Sequence, residues 1–356
     1  MLLITGKRVD KAVPNTNDIL DRLDRKVKEQ LQSVRVGFLL GAGSSYLDGA
    51  GYPLTPQLWP AIKEHVREPE RTDIQAKLDE GADGIENALD LLDRGSIEEQ
   101  PHRHLVAQAI AEHFRQLEAP LDHHRRFVSV LSQRNERHVS IFSLNYDPLI
   151  ERAAESEHVR VMDGFHGHEH AFFDAGSFQH DIAVLQTSVR GGERRRQITP
   201  WVWLIKLHGS LGWYSSDQAD LRRTAFYADI PDDTIRLMIP PQHRKATDTV
   251  YPPYTTLWSE FRDRLIHRSN AINRLVTLGY GMADGHVNDV IEGAMARTNF
   301  TLIIITQSLS DQAFHHWSIK ENAVIVTEER SALRGVVGPG HPTLWSFEGI
   351  VEEMSR

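Results

Sequence analysis

The chain has 356 residues, 40% of them hydrophobic and 25% charged, a formal charge of -9 at neutral pH, and no cysteine. That balance belongs to a globular protein long enough for one elaborated α/β unit or two modest domains, and its acidity argues against whole-molecule attraction to nucleic acid or anionic membrane. The lack of cysteine excludes disulfides, thiolate catalysis and any cysteine-ligated zinc or iron-sulfur site in this chain.

In chain order, Thr16 reads as the N-cap of an amphipathic helix in which Ile19, Leu20, Leu23, Val27 and Leu31 recur at helical spacing towards Gln32. The N-terminal MLLITGKRVD is too short and too soon charged for a secretory signal, and no run of about eighteen apolar residues exists to span a bilayer. A cytoplasmic protein is the expectation. Residues 1–33 are read as an N-terminal strand and helix extension, and 34–356 as the main domain.

Six short apolar runs follow, each ending abruptly: VGFLL before GAGSS, VSIFSL before NYD, WLIKL before HGS, RLVTL before GYG, LIIIT before QSLSD and AVIVT before EER. Continuous apolar character, rather than alternation, predicts strands buried on both faces. The fold class expected is therefore α/β, a doubly wound, mainly parallel, Rossmann-like sheet. Between the first two runs, about 59–137, IENALDLLDR and HLVAQAIAEHFRQL carry apolar residues at three-to-four spacing and predict a helical insertion. A second insertion, about 156–200, shows no clear periodicity and is expected to be irregular. Beyond Thr327 a strand, a loop and a short tail are expected, with no further domain.

The suggestive residues sit at the carboxyl ends of the predicted strands, where ligands bind in open α/β sheets. Gly41, Ala42 and Gly43 permit a tight turn whose N-H groups approach a pyrophosphate, with Ser44 and Ser45 as added hydroxyl donors. The spacing is not the Rossmann GxGxxG, and simple chain reversal is the alternative. Thr55 and Pro56 read as an N-cap and first helical residue, making 41–55 the ordered lip of a pocket or else a long connection.

Asn145 and Asp147 are suited to hold a ribose or carboxamide or to orient a water, while Asp147 could instead cap a helix starting near Pro148. His208, at a strand end before a glycine, is a natural general base. Gly279 and Tyr280 could contact a second ribose or phosphate, whereas Asp284, His286 and Asn288 could do so or cap the next helix. In FHGHEH, His166, His168, Glu169 and His170 could converge on a metal, but an exposed histidine-rich loop is the preferred reading and no metal is expected. Arg190 and Arg194 to Arg196 read as a solvated basic loop rather than a nucleic-acid contact.

Taken in this order, GAGSS, NYD, LHGS and GYGMADGHVN resemble the sirtuin superfamily, and most closely its bacterial sirtuin-like NAD-hydrolases of antiphage defence. The resemblance runs from about Val36 to Thr327, and GAGYPLTPQLW with IENALD looks like the defence branch. It implies that Gly41, Ala42, Gly43 and Ser44 line the dinucleotide phosphates. Asn145 and Asp147 would then hold the nicotinamide ribose, His208 would be the catalytic histidine, and Gly279 and Tyr280 would face the adenosine half. Ser45, Asp284 and His286 complete the candidate NAD contacts.

Protein-deacylating sirtuins carry a lobe on four zinc-binding cysteines and a proline-aspartate-phenylalanine-arginine stretch after the glycine loop. Here there is no cysteine, and the loop reads SYLDGAGYPLT. The resemblance therefore implies an NAD glycohydrolase with water as acceptor, NAD as substrate and no zinc. The alternatives are an NAD or ADP-ribose sensor and a sirtuin-type deacylase or ADP-ribosyltransferase. By the same analogy it implies control through a homo-oligomer, a HerA-type ATPase or another phage-sensing partner.

Overall fold

The computed structural model describes residues 16–93, 100–134, 138–179, 183–187, 194–198, 201–215, 220–238 and 253–356. All six apolar runs form strands: Val36–Leu40, His138–Ser143, Trp201–Lys206, Arg274–Leu278, Thr301–Ile305 and Ala323–Val326. Side chains along a strand alternate between faces, and here both faces are covered. Phe38, Leu40, Ile303 and Ile305 enter one apolar core, while Leu39, Leu302 and Ile304 enter the other. That is why the runs are apolar throughout.

Across the nine-stranded sheet the order is Val336–Pro339, Arg330–Leu333, Ala323–Val326, Thr301–Ile305, Arg274–Leu278, Val36–Leu40, His138–Ser143, Trp201–Lys206 and Arg160–Met162. Pairing is parallel except for the two strands Arg330–Leu333 and Val336–Pro339, which add antiparallel at one edge. From Val36–Leu40 the chain winds outward to one side and later returns to pair Arg274–Leu278 on the other. The winding direction thus reverses between these two strands, whose carboxyl ends carry Gly41 and Gly279.

The helical insertion is present, with helices Thr55–Ile62, Glu70–Asp79, Gly84–Leu92, Pro101–Arg115 and Asp122–Ser132 between the first two strands. Its first helix starts one residue earlier than read from sequence: Leu54 holds the cap position, and the Gln57 side chain accepts its N-H at 3.0 Å.

The second insertion is not irregular where it is described. Phe165–His166 and Ala171–Phe173 join Leu221–Arg223, Gly209–Ser215 and Ile235–Met238 in a five-stranded sheet with antiparallel pairing. Ala183–Thr187 and Arg194–Ile198 make a separate antiparallel ribbon. Strands of two or three residues are too short to display a period. Arg194 to Arg196 therefore lie in a strand rather than a loop, and Arg190 falls outside the described residues.

The first helix, Thr16–Gln32, buries Leu23, Val27 and Leu31 as its spacing requires. It lies against the C-terminal helix Phe347–Met354, with Lys28 paired to Glu353 at 3.2 Å. The reading beyond Thr327 fell short, since two strands and this helix follow there. Residues 1–15 of the N-terminal extension lie outside the described residues. Among the described residues no helix is long and apolar enough to cross a membrane.

Candidate active site

Parallel pairing sets the strand ends in line. Leu40 is in register with both Ser143 and Leu278, and Ser143 with Lys206. The next residues extend the ladder: Leu144 N-H donates to Leu40 O, Leu207 N-H to Ser143 O, Gly41 N-H to Leu278 O and Gly279 N-H to Ile305 O, at 2.8–2.9 Å. Asn145 and His208 each stand two residues past the paired Ser143 and Lys206. Adjacent strands lie about 4.8 Å apart, so the amide and the imidazole rise from neighbouring positions on one edge.

Asn145 is fixed by the glycine turn. Its Nδ2 donates towards Gly41 O at 3.0 Å, Ser45 Oγ at 2.9 Å and Ser44 Oγ at 3.2 Å. A backbone carbonyl can only accept, which identifies the nitrogen as the atom facing the turn and leaves the side-chain oxygen pointing away from it. Ser45 passes the interaction on by donating to the carboxylate of Asp147.

Asp147 is buried, and its Oδ1 accepts the Leu149 N-H at 3.0 Å at the start of helix Leu149–Ser156. Burial raises its pKa above the ordinary carboxylate value, with Lys206 and the donated hydrogen bonds opposing that rise. Of the two roles the sequence left open for it, this contact is the one at the start of the helix. The carboxylate sits behind Asn145 and caps the helix, a position from which it orients the amide through Ser45.

The glycine turn also differs from a cradle of open N-H groups. Gly43 N-H donates to Gly279 O, Ser44 N-H to Gly41 O, and Ser44 Oγ also to Gly41 O. A Cβ on Gly41 would stand 2.7 Å from Gly279 O, and one on Gly43 would stand 2.8 Å from Gly279 Cα. Gly279 itself has φ +65°, and a Cβ there would lie 2.2 Å from Ser44 N. These three glycines are thus required by the close crossing of two turns. In this conformation the N-H groups of Gly43, Ser44 and Ser45 donate within the fold.

His208 is 4% exposed and lies in the turn joining the main sheet to the smaller one. Its Nε2 is 3.2 Å from Asp284 Oδ2. The other oxygen, Oδ1, accepts the N-H groups of His286 and Val287 and caps helix Gly285–Met295. Asp284 therefore takes the capping role that the sequence offered, and its other oxygen lies beside His208. The Asp284 carboxylate thus stands beside the imidazole, on the side of its Nε2.

Trp258, on helix Tyr254–Arg262, lies 6.5 Å from the His208 ring and 6.4 Å from the His286 ring, centroid to centroid. His286 faces an open groove of about 210 Å³ with Trp258, Arg262 and Asp289. Tyr280 is buried, and its hydroxyl accepts the Asp284 N-H and donates towards Asp284 O and Asn288 Oδ1. It staples the turn to the helix.

Two members of the edge were missed in the sequence. Trp258 carries no motif that would have marked it. Lys206 does: a lysine inside the apolar run WLIKL must bury its charge against partners, and that was the available signal. Within the histidine-rich segment, His166 Nε2 pairs with Ser177 Oγ and His170 Nδ1 with Tyr214 Oη, both at 2.5 Å. These are separate pairs, and no metal-binding group of three occurs among the described residues.

A family model described as a SIR2-like domain matches residues 139–326, more than half of the chain. No curated protein matches by sequence. A structure reported in work on the structural basis for the mechanism and regulation of Sir2 enzymes is similar at 13% identity and TM-score 0.40, covering 94% of this chain and 98% of its own. Another, from work on the structural basis of sirtuin substrate affinity, is similar at 13% identity and TM-score 0.37, covering 88% and 93%.

Proposed function

The chain belongs to the SIR2-like family, and from that premise we propose that it is an NAD glycohydrolase releasing nicotinamide and ADP-ribose. The observation that carries this reading is the placement of Asn145 and His208 on adjacent strand ends, with the Asp284 carboxylate 3.2 Å behind the imidazole. A site that only bound a dinucleotide would have no need of an oriented base.

In the reaction the bond between ribose C1′ and the nicotinamide nitrogen breaks, and its electron pair leaves with neutral nicotinamide. The sugar is left cationic, and a polar pocket shielded from bulk water stabilises it. Asn145, its NH2 tied to the glycine turn, offers its carbonyl oxygen to position the attacking water or a ribose hydroxyl. Water oxygen bonds to C1′ and His208 takes its proton, which later passes to solvent. Asp284 holds the imidazole in place throughout. Water is favoured as acceptor because a chain without cysteine cannot build the zinc lobe that accompanies acyl-lysine peptides in deacylating sirtuins.

The family branch suggested by GAGYPLTPQLW and IENALD gives the biological role: the NAD-depleting effector of a bacterial antiphage system. Such an effector acts in the cytoplasm and is held in check by self-assembly or by a HerA-type or phage-sensing partner.

Purified protein incubated with NAD, with products separated by chromatography, tests the activity. Free ADP-ribose and nicotinamide are expected, and an acylated or protein-linked ADP-ribose species would point to a transferase instead. His208→Ala should lower turnover by about 10²- to 10⁴-fold, the usual worth of a general base, while the fold is kept. Unchanged NAD consumption by that variant, or by Asn145→Ala, defeats the mechanism.

A further inference from the structure

Beneath the candidate site lies a cation that the hydrolysis scheme does not use. Lys206 is 2% exposed and ends the strand that delivers His208. Its ammonium donates to Asp147 O at 2.6 Å, Glu151 Oε1 at 2.9 Å and Ser210 Oγ at 3.1 Å, and lies 3.4 Å from Tyr146 O. An ammonium has three hydrogens, and the three shorter contacts account for all of them. Ser210 Oγ in turn donates to Tyr146 O at 3.2 Å.

The contacts have a pattern. Lys206 and Ser210 flank His208, two residues to either side, and both bond the carbonyls that immediately follow Asn145. The turn bearing the imidazole is thereby fastened to the turn bearing the amide by donors on each side of the histidine. Helix Leu149–Ser156 joins the fastening through Glu151. An apolar side chain of similar length would fill the space but leave the Glu151 carboxylate and the Asp147 carbonyl without their cation, and removing one partner of a buried pair is destabilising. Nor could it hold a carbonyl, a carboxylate and a hydroxyl at set distances.

We propose that Lys206 is a positioning residue for the reaction, setting the distance and angle between the Asn145 amide and the His208 imidazole. The proposal rests on the hydrolase reading for its consequence and on this geometry for its content. Misplacing a reacting group by about 1 Å costs about 100-fold in rate, so displacement of one turn against the other acts on turnover far more than on binding.

The test is Lys206→Met, with kcat, KM for NAD, thermal midpoint and a double-mutant cycle against His208→Ala. The proposal expects kcat to fall by about 10- to 100-fold with KM changed by less than about threefold. It also expects the effect to shrink to within about twofold when His208 is already alanine, because the lysine acts through that pair. Equal loss in both backgrounds, or unchanged kcat in the folded variant, overturns it. Should Lys206→Met fail to fold, Ser210→Ala removes one fastening bond more gently, and the same pattern at about 3- to 10-fold is expected and decisive in the same way. If the wild-type chain consumes no NAD, the hydrolase reading falls by itself. The fastening is then read from nitrogen-15 signals of the Asn145 amide and the His208 ring, which shift in Lys206→Met if it holds and stay in place if it does not.

Discussion

Asp284 shows how one side chain can serve helix and site together. Its two oxygens are divided, Oδ1 on the cap of helix Gly285–Met295 and Oδ2 on His208. The amide of Asp284→Asn keeps a capping oxygen, so stability should change by no more than about 1 kcal/mol. The imidazole, however, loses its anionic neighbour and can be offered an NH2 instead. Turnover should fall by about 10- to 1000-fold with little change in KM, measured by steady-state NAD consumption beside a denaturation curve. An Asn variant with wild-type kcat would make the 3.2 Å contact incidental to the chemistry. At this scale the sequence was legible for the placement of Asn145 and His208 just past strand ends, since each follows an apolar run. For Asp147 a ribose contact and a helix cap were both left open, because the direction of a buried carboxylate is not written in the sequence, and Lys206 takes its partners from Asp147, Glu151 and Ser210 on other segments.

The elements of the central sheet could be read in advance because strands covered on both faces write themselves as unbroken apolar runs. Those of the smaller sheet could not, because a strand such as Phe165–His166 offers only two residues to a periodicity. The glycines of the two crossing turns fall between these cases. Their conformational meaning was visible, but whether they admit a phosphate or each other depends on register, and here Gly41 and Gly43 admit Gly279.

Helix packing carries a pH dependence that leaves no signal in the sequence. His124, on helix Asp122–Ser132, is buried against Phe347 of the C-terminal helix at 4.6 Å between ring centroids. Burial is the main cause that depresses its pKa from 6.5 to about 3, with His123 adding to it. The unfolded chain therefore takes up a proton on this residue as pH falls below about 6.5, and the folded chain does not until about 3. Stability is full above that window and drains away within it, at roughly 1.4 kcal/mol per pH unit near its middle. Asp147 and Asp163 work in the opposite direction, since burial raises their pKa and favours the folded state as pH falls through the raised values. A difference measurement isolates the histidine: His124→Phe should gain on wild type steadily as urea denaturation is repeated from pH 7 down to pH 4.5. Parallel losses in the two proteins would show that this ring does not couple packing to protonation.

For the molecule as a whole, the difficulty posed by the proposed activity is restraint, because an enzyme that destroys NAD continuously would harm the cell that makes it. Among the described residues Asn145 is tied to its glycine turn, and His208 is 4% exposed beside Asp284. The restraint proposed acts on the population of competent molecules, through assembly or through a partner. Mass action gives this a signature. If only an assembled form is competent, specific activity rises with protein concentration and saturates once the assembled fraction is complete, following the same midpoint as the molar mass in solution. The expected measurement is NAD turnover per mole of chain over about a hundredfold range of concentration spanning that midpoint, beside light scattering. A monomer whose turnover is constant across the range would remove self-assembly as the control and leave a separate partner as the regulator to be sought.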